Sequence, residues 1–313
     1  MQPIGVLPIN KPIDVRSTQC VDTVRQILGR KNKVGHGGTL DSTASGLLIL
    51  LVGNATRLSN FIMAMPKCYE TTIKFGSETT TDDASGEIKK ISSWEHITDS
   101  DIDRILHGFM GWRMQTPPSI SAVHIDGERA HRLTRDGRDV EISAKPVFFQ
   151  SVERISSINS QGCVSFRINC RKGTYIRSFA RDLARNLGSA AHVYELKRVG
   201  CGMFSSDNAV SYGDVVSMRF KELSSIILPV RSVVGSCMSY IADDYAFKRL
   251  ANGQGVMLSQ MKRESFPLYS SSTENVTVSS ESFFSICRLS RSSGSFELMP
   301  EVNIITADRG NGQ

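Results

Sequence analysis

Asp41 is the one carboxylate in a glycine-rich loop, GHGGTLDSTASG, that runs from Gly35 to Gly46. On local composition, an aspartate in such a loop is most often a turn or cap residue, because its side chain bonds nearby backbone amides. The loop lacks the GxxxxGK[ST] pattern of a phosphate cradle, and a carboxylate would repel phosphate. A lone carboxylate also lacks the partner that glycoside hydrolysis requires. The chemical alternative is a covalent nucleophile, which needs a cation to keep it ionised.

The segment CRKGTYIRSFARDLARNLG can supply such a cation. Arg171, Lys172 and Arg177 surround the predicted start of a helix, and Arg181 and Arg185 continue a stripe with a spacing of four residues. A basic run of this kind is usually a solvated helix face. However, Arg177 lies near the helix N-terminus, where a positive charge opposes the helix dipole. We therefore predict a carboxylate or phosphate partner for Arg177.

Tyr69 begins the alternating segment CYETTIKF, which predicts a strand with Tyr69 on its apolar side. Core packing is the ordinary role of a tyrosine in this position. The functional alternative is a ring on which a base flipped out of an RNA stack can rest.

Two helices and several strands must position these residues. A helix is predicted over 17–29, capped by Ser17 or Thr18, and another over 174–187, capped by Thr174. Strands are predicted at LLILLVG, directly after the glycine-rich loop, and around 147–152 and 164–170.

The charge of the chain is unevenly distributed. The 313 residues carry a net charge of +6, yet residues 232–313 contain 7 basic and 8 acidic residues. All of the positive excess therefore lies in 1–231, where it would attract a polyanion such as nucleic acid. A mild excess of this size is also common in soluble proteins, so charge alone does not decide the partner.

No pattern indicates a metal site, a disulfide framework or a membrane span. The seven cysteines include no CxxC pair, and the six histidines form no HxH or HExxH pair. The longest apolar run, 47–52, is too short to cross a bilayer, and the first residues lack the features of a signal peptide. We expect a cytoplasmic protein.

A change in composition near 228–234 predicts a domain boundary, because the chain beyond it is serine-rich and contains short β-like runs such as VTVSS. We expect residues 1–230 to form one domain, with a basic insertion at about 113–145. Residues 231–313 are expected to form a small β-rich domain.

Five motifs, in order, carry a resemblance to a known family. GHGGTLDSTASG resembles the catalytic loop of the TruB-type tRNA pseudouridine synthases. The family's Lys-Pro strand resembles LPINKP, and its tyrosine strand resembles KCYETTIKFGSETTTDDASGEI. Its arginine motif resembles CRKGTYIRSFARDLARNLGSAAHVYELKRVG. QTPPSISAVHIDGERAHRLTRDG resembles its RNA-gripping insertion, so that the motifs cover most of residues 4–205. RLANGQGV and GSFELMP resemble the small PUA-related RNA-binding domain of bacterial members.

The resemblance implies a role for each matching residue. Asp41 stands at the position of the nucleophile, Arg177 at that of the arginine paired with it, and Tyr69 at that of the tyrosine stacked on the flipped base. The implied substrate-binding residues are Tyr175 and Leu196 in the pocket, His36 near the flipped nucleotides, Lys11 and Lys172 as structural or phosphate-facing residues, and Arg132 in the insertion.

Two positions depart from the family pattern. Ser42 follows the aspartate where proline is usual, which puts the rigidity of the loop in question. Asp14 occupies a position where glycine is common, and aspartate tolerates the left-handed backbone region better than most residues.

The resemblance implies an α/β (α+β) fold, with a mixed, largely antiparallel central sheet, flanking helices and a small PUA-like C-terminal domain. The implied function is isomerisation of uridine to pseudouridine at position 55 in the T-loop of tRNA, by a monomer that needs no cofactor and no metal. The alternatives are a synthase that acts on another RNA and an RNA-folding chaperone with little catalysis.

Overall fold

The fold is described from a computed structural model, which covers residues 2–118, 124–125, 128–129, 142–233, 238–265, 275–292 and 294–305. The strands, in chain order, are β1 (Gly5–Lys11), β2 (Val34–His36), β3 (Ser45–Val52), β4 (Lys67–Phe75), β5 (Ser77–Thr79), β6 (Ile88–Ile91), β7 (Gly111–Gln115), β8 (His124–Ile125), β9 (Glu128–Arg129), β10 (Lys145–Arg154), β11 (Cys163–Cys170), β12 (Ala191–Cys201), β13 (Phe204–Ser205), β14 (Val210–Ser211), β15 (Met238–Ile241), β16 (Val256–Met257), β17 (Lys262–Ser265), β18 (Asn275–Ser279), β19 (Phe283–Ser292) and β20 (Ser295–Ile305).

The helices lie between these strands along the chain. The α-helices are α1 (Ser17–Leu28), α2 (Ser59–Ala64), α3 (Asp99–Leu106), α4 (Ile176–Asn186), α5 (Tyr212–Ser217), α6 (Phe220–Ile226) and α7 (Asp244–Ala251). Single 3₁₀ segments cover Gly53–Leu58, His107–Phe109, Ser206–Asn208, Val230–Val233 and Leu258–Gln260.

A ten-stranded sheet forms the centre of the molecule. Its order is β14-β1-β3-β12-β4-β11-β10-β7, with β13 on β12 and β2 on β3. The β1–β14 and β12–β3 pairs are parallel and the others antiparallel. The expected mixed, largely antiparallel sheet of an α/β protein is therefore confirmed.

Two helices pack on this sheet and leave a cleft between them. The buried face of α1 is formed by Cys20, Val21, Val24 and Leu28, and it packs in one core with Leu48 and Leu50 of β3. The face of α4 packs in a second core against strands β4, β10 and β11. Tyr69 and Leu196 contact both cores, so they lie between the two helices.

The two helices begin as predicted to within two residues, but the predicted caps are wrong. Helix α1 follows Arg16 without a side-chain cap, and the hydroxyl of Ser17 instead bonds both main-chain polar groups of Leu40. Helix α4 follows Tyr175, while Thr174 donates to the carbonyl of Arg171. Both hydroxyls stabilise neighbouring loops, a use that competes with capping.

A second, six-stranded sheet is formed by residues 238–305, in the order β16-β20-β19-β18-β15-β17. Phe284, Ile286 and Ile304 of this sheet share a buried core with Leu47 and Ile49 of β3. The second sheet therefore covers part of the central sheet.

The insertion expected at about 113–145 begins and ends inside the central sheet. Residues 113–115 belong to β7, and residue 145 begins β10. Strands β8 and β9 pair as a short antiparallel hairpin, and the rest of 119–141, including Arg132, lies outside the described residues.

None of the helices in the described part of the chain is both long enough and apolar enough to cross a membrane.

Candidate active site

Asp41 and Arg177 meet at the open end of the cleft. Asp41 lies in the loop between β2 and β3, and its Oδ2 is 3.1 Å from Nη2 of Arg177 in the first turn of α4. The Arg177 side chain is 9% exposed and that of Asp41 is 44% exposed. The carboxylate therefore faces solvent while its cation is fixed within the protein, an arrangement that lets a substrate reach the carboxylate.

Arg177 is held by two further groups from the segment after β5. Its Nη1 donates to the carbonyl of Thr81 at 3.0 Å and lies 3.6 Å from Oδ2 of Asp83. Asp83 is buried and also accepts hydrogen bonds from the hydroxyls of Thr81, Ser85 and Thr43. Because Thr43 belongs to the glycine-rich loop, Asp83 ties that loop to the arginine.

Arg177 and Arg181 of the stripe on α4 are buried against carboxylates, so the ordinary interpretation as a solvated face is wrong for them, whereas the Arg185 side chain is 53% exposed and pairs with a buried carboxylate. Arg181 is 2.8 Å from buried Asp82, and Arg185 is 2.9 Å from buried Glu78. Burial would raise the pKa of Glu78, but the hydrogen bonds and charge of Arg185 outweigh burial and lower it. Three of the acidic partners of the stripe, Glu78, Asp82 and Asp83, lie within one six-residue segment, and sequence reasoning did not assign them a role. The run of carboxylates in SETTTDDASGE was the available signal.

Lys11 is buried beneath the glycine-rich loop and anchors it from the protein interior. Its ammonium donates to the carbonyls of Pro12 and Val15 at 2.8 Å and of Ala44 at 2.6 Å, and the residue is 1% exposed. Burial lowers the pKa of this ammonium. With its three protons on main-chain oxygens, Lys11 has none left for a phosphate, which favours the structural one of the two roles that the resemblance implied.

Arg198 on β12 is a second buried anchor of the loop, and sequence reasoning missed it. Its Nε donates to the carbonyl of Leu47 at 2.7 Å, and its Nη atoms donate to the carbonyls of Gly38 and Thr39 at 3.3 Å. At Gly46 the φ angle is +101°, and a Cβ would lie 2.3 Å from the Arg198 carbonyl oxygen. Only glycine fits this close approach of β3 and β12.

Tyr69 lies in the floor of the cleft on β4, paired with Arg198 of β12. Burial raises the pKa of its phenol to about 12, although the positive charge of Arg198 opposes the rise. The side chain is therefore a neutral phenol near pH 7, able to stack and to donate a hydrogen bond.

Three further predicted site residues, His36, Tyr175 and Lys172, differ in their burial and in their contacts. His36 is half-buried, its Nδ1 accepts from the amide of Gly38 at 3.3 Å, and burial lowers its pKa. The main chain of Tyr175 is held from both sides by the amide of Gln115, at 2.9 and 3.1 Å. Lys172 is exposed in the turn before α4.

A cavity of about 240 Å³ lies directly against Arg177. It opens into a larger groove of about 650 Å³ that shares Ile13, Thr43, Tyr194 and Leu196 with it. Ile13 and Tyr194 are 59% and 51% exposed, so apolar surface lines the entrance. Leu196 thus lines the pocket as the resemblance implied, and the space is suited to a planar base.

The backbone around Ser42 is held without the proline that the family usually has. The amide of Asp14 donates to the carbonyl of Ser42 at 2.8 Å, and that of Ala44 donates to the carbonyl of Asp41 at 3.1 Å. Asp14 has a φ of +62°, which explains why glycine is common at this position. Hydrogen bonds on both sides of Ser42 thus restrain the loop.

Comparison with known proteins gives the class of this protein, an RNA-modifying isomerase of the pseudouridine synthase type. The family model of the TruB family pseudouridylate synthase N-terminal domain matches residues 25–176, and that of the tRNA pseudouridylate synthase B C-terminal domain matches residues 177–235. The chain therefore belongs to the TruB family of pseudouridylate synthases.

Individual relatives agree with this assignment. The tRNA pseudouridine synthase B of Ruegeria sp. (strain TM1040) is 37% identical over 255 residues, which cover 81% of this chain and 83% of the relative. The tRNA pseudouridine synthase B of Prochlorococcus marinus is 37% identical over 230 residues, which cover 74% of this chain and 73% of the relative.

Solved structures share the fold at low sequence identity. The archaeal box H/ACA sRNP Nop10–Cbf5 complex matches with a TM-score of 0.69 and 18% identity, over 99% of this chain and 88% of the matched chain. The H/ACA RNP bound to a substrate RNA containing 2′-deoxyuridine matches with a TM-score of 0.70 and 19% identity, over 98% of this chain and 86% of the matched chain.

Proposed function

We propose that this enzyme converts uridine to pseudouridine at position 55, in the T-loop of tRNA, with Asp41 as its nucleophile. The observation that carries the proposal is the half-exposed Asp41 carboxylate, 3.1 Å from buried Arg177, which itself lines a cavity of about 240 Å³. The substrate follows from the relatives, which are named as tRNA pseudouridine synthases. The positive excess within residues 1–231 supports an RNA partner.

In the proposed reaction, a carboxylate oxygen of Asp41 attacks C1′ of the target uridine. The C1′–N1 bond breaks, and its electron pair leaves with the uracil. The uracil then rotates, its C5 bonds to C1′, and the Asp41 oxygen leaves. C5 loses one proton and N1 gains one, so the reaction is an isomerisation without net oxidation and requires no cofactor.

Arg177 and Tyr69 each have a defined part in this scheme beside Asp41. Arg177 favours the ionised form of Asp41 through its positive charge. Tyr69 offers a ring for stacking on the flipped uracil and a neutral hydroxyl for hydrogen bonding. Flipping a uridine out of its stack costs a few kcal/mol, which stacking and phosphate contacts offset.

The proposal extends to the rest of the chain. Residues 1–230 would form the catalytic domain, and residues 231–313 a PUA-like RNA-binding domain that acts on the same tRNA. His36, Tyr175, Leu196 and Lys172 would contact the T-arm, together with Arg132 of the insertion. The enzyme would act as a monomer in the cytoplasm.

The decisive experiment is to map pseudouridine in a synthetic T-arm stem-loop after incubation with the purified protein. We expect one pseudouridine, at the position equivalent to 55. A matched stem-loop with cytidine at that position should stay unmodified. Pseudouridine in ribosomal RNA but not in the stem-loop would contradict the tRNA assignment, and tight binding without any pseudouridine would indicate an RNA chaperone.

A further inference from the structure

Helix α4 is joined to the end of β7 by hydrogen bonds that the proposed reaction does not use. Strand β7 ends at Gln115, and Thr116 follows it on the way into the insertion. The Gln115 side chain accepts from the amide of Tyr175 at 2.9 Å and donates to its carbonyl at 3.1 Å. The carbonyl of Thr116 accepts from the hydroxyl of Ser178 and from Nη2 of Arg181, both at 2.8 Å. We call Gln115, Thr116, Ser178 and Arg181 the β7–α4 joint.

The chain is stiff directly beyond the β7–α4 joint. Pro117 and Pro118 follow Thr116, and both are buried. A proline fixes its own φ at about −65° and restricts the residue before it to extended backbone. The position of the Thr116 carbonyl therefore determines where residues 116–118 lie and in which direction the chain enters the insertion.

Arg181 is the charged member of the joint, and its charge alone does not explain its position. The residue is 7% exposed, and its Nη1 donates to Asp82 at 2.8 Å. However, Asp82 has a second cation, since Nζ of Lys89 lies 3.3 Å from its Oδ1. Burial of a charge pair also costs desolvation, which offsets much of its attraction. Arg185, one turn further along α4, pairs with Glu78 while its side chain is 53% exposed, so an acidic partner does not require a buried arginine.

Arg181 differs from Arg185 because its guanidinium reaches three acceptors in different parts of the chain. Nη1 donates to Asp82 after β5, Nε donates to Asp182 of α4 at 3.1 Å, and Nη2 donates to Thr116 after β7. A planar guanidinium holds such acceptors in a fixed arrangement, which the point charge of a lysine does not. Arg181 thereby links the start of the insertion to the helix that carries the catalytic arginine.

We infer that Arg181 is a positioning residue, which fixes the start of the insertion against α4 so that RNA held by the insertion lies in register with Asp41 and Arg177. The inference rests on the proposed function and adds a residue to it. Arg181 is buried, so it acts on the RNA through Thr116 and not by direct contact. A segment already fixed in its bound position loses less conformational entropy when a partner binds, which raises affinity. The joint therefore contributes to RNA affinity rather than to the chemical step.

Single-turnover kinetics with full-length tRNA test this inference, because the half-saturating enzyme concentration reports binding and the maximal rate reports chemistry. Arg181→Met keeps an unbranched side chain and removes every donor. It should raise the half-saturating concentration about tenfold and leave the maximal rate within about twofold of the wild type. A lower maximal rate with unchanged half-saturation would mean that Arg181 acts on the Asp41–Arg177 pair, and would overturn the inference. Unchanged values of both would leave Arg181 a purely stabilising residue and overturn it too.

The salt dependence of binding separates positioning from direct contact with phosphate. It is measured by anisotropy with full-length tRNA in an Asp41→Asn background. Because Arg181 is buried, Arg181→Met should weaken binding without changing the slope of log K against log salt. A slope reduced by about one would mean that Arg181 itself neutralises a phosphate, which would overturn the inference.

Ser178→Ala keeps the test decisive if Arg181→Met does not fold. This variant removes the other donor to Thr116 without removing a charge. It should raise the half-saturating concentration about threefold, again with the maximal rate retained. If Ser178→Ala is the only variant that can be measured, an unchanged half-saturating concentration would overturn the inference.

Arg185→Met is the matched control, since it makes the same substitution one turn further along α4. Among the described residues, the Arg185 side chain pairs with Glu78 and not with Thr116, so neither kinetic value should change. Pseudouridine is mapped in parallel with the wild type. Unchanged affinity of Arg181→Met, in an enzyme whose wild type makes pseudouridine, overturns this inference alone. A wild type that makes no pseudouridine overturns the proposed function with it.

Discussion

Oδ2 of Asp41 and Nη2 of Arg177 are 3.1 Å apart, although 136 positions separate the two residues in the chain. The arginine is held by Asp83 and Thr81, so the pair joins the glycine-rich loop, α4 and the acidic segment after β5. Asp41 is the exposed member of the pair, and for this reason we propose it as the nucleophile.

Replacement of Asp41 by asparagine should abolish turnover and leave tRNA binding within about twofold, because an amide cannot attack C1′ but fills the same volume. Single-turnover pseudouridine formation and anisotropy measure the two properties. Ser42→Ala, next in the chain, is the matched control and should stay active. A normal rate for Asp41→Asn would rule out this residue as the nucleophile.

Replacement of Arg177 by alanine should slow the chemical step by about 10²–10³-fold, because the carboxylate loses its fixed cation. Arg177→Lys should recover only part of the rate, since an ammonium cannot reach Asp41, Asp83 and the Thr81 carbonyl together. Rates at saturating RNA, compared with melting temperatures, separate chemistry from folding. An unchanged rate in Arg177→Ala would refute the role of the pair.

The Arg185–Glu78 pair should make stability depend on pH in acid. The pKa of Glu78 is lowered in the folded state, so its contribution is fully present above the ordinary value of 4.5 and is lost as pH falls through the folded value. Arg185→Met should therefore cost about 1 kcal/mol at pH 7, and the difference from wild type should shrink below pH 4.5. Thermal unfolding from pH 3 to 7 measures this, and a difference that does not change with pH would contradict it.

Substitution of Gly46 by alanine should destabilise the protein by at least about 1–3 kcal/mol and slow catalysis, because the added Cβ meets the Arg198 carbonyl. Gly253→Ala is the matched control, since Gly253 also has a positive φ but no atom within 4 Å of an added Cβ. Chemical denaturation should show a clearly larger loss for Gly46→Ala. Equal losses would mean that backbone conformation alone, without the clash, governs this position.

Arg132 of the insertion should contribute to RNA binding rather than to chemistry. Arg132→Ala is expected to weaken binding and to reduce the slope of log K against log salt by about one. The measurement is tRNA affinity between low and physiological salt. An unchanged slope would remove Arg132 from the RNA interface.

The sequence by itself determined much of this protein. Its periodicity predicted α1, α4 and the strands that flank them, because buried faces repeat with the period of each element. Its ordered motifs identified Asp41, Tyr69 and Arg177 as candidates and gave the family and the mixed sheet.

Only the tertiary structure decided how the site is supported. Arg198 looks like any basic residue in the sequence, and the motif left the role of Lys11 open between structure and phosphate binding; only their burial against main-chain carbonyls shows both to be anchors. Whether Arg181 and Arg185 are solvated or paired likewise depends on the positions of Asp82 and Glu78 in the folded chain. Local patterns specify elements, whereas charge partners far apart in the chain meet only when the elements pack, and this packing brings Arg177 to Asp41.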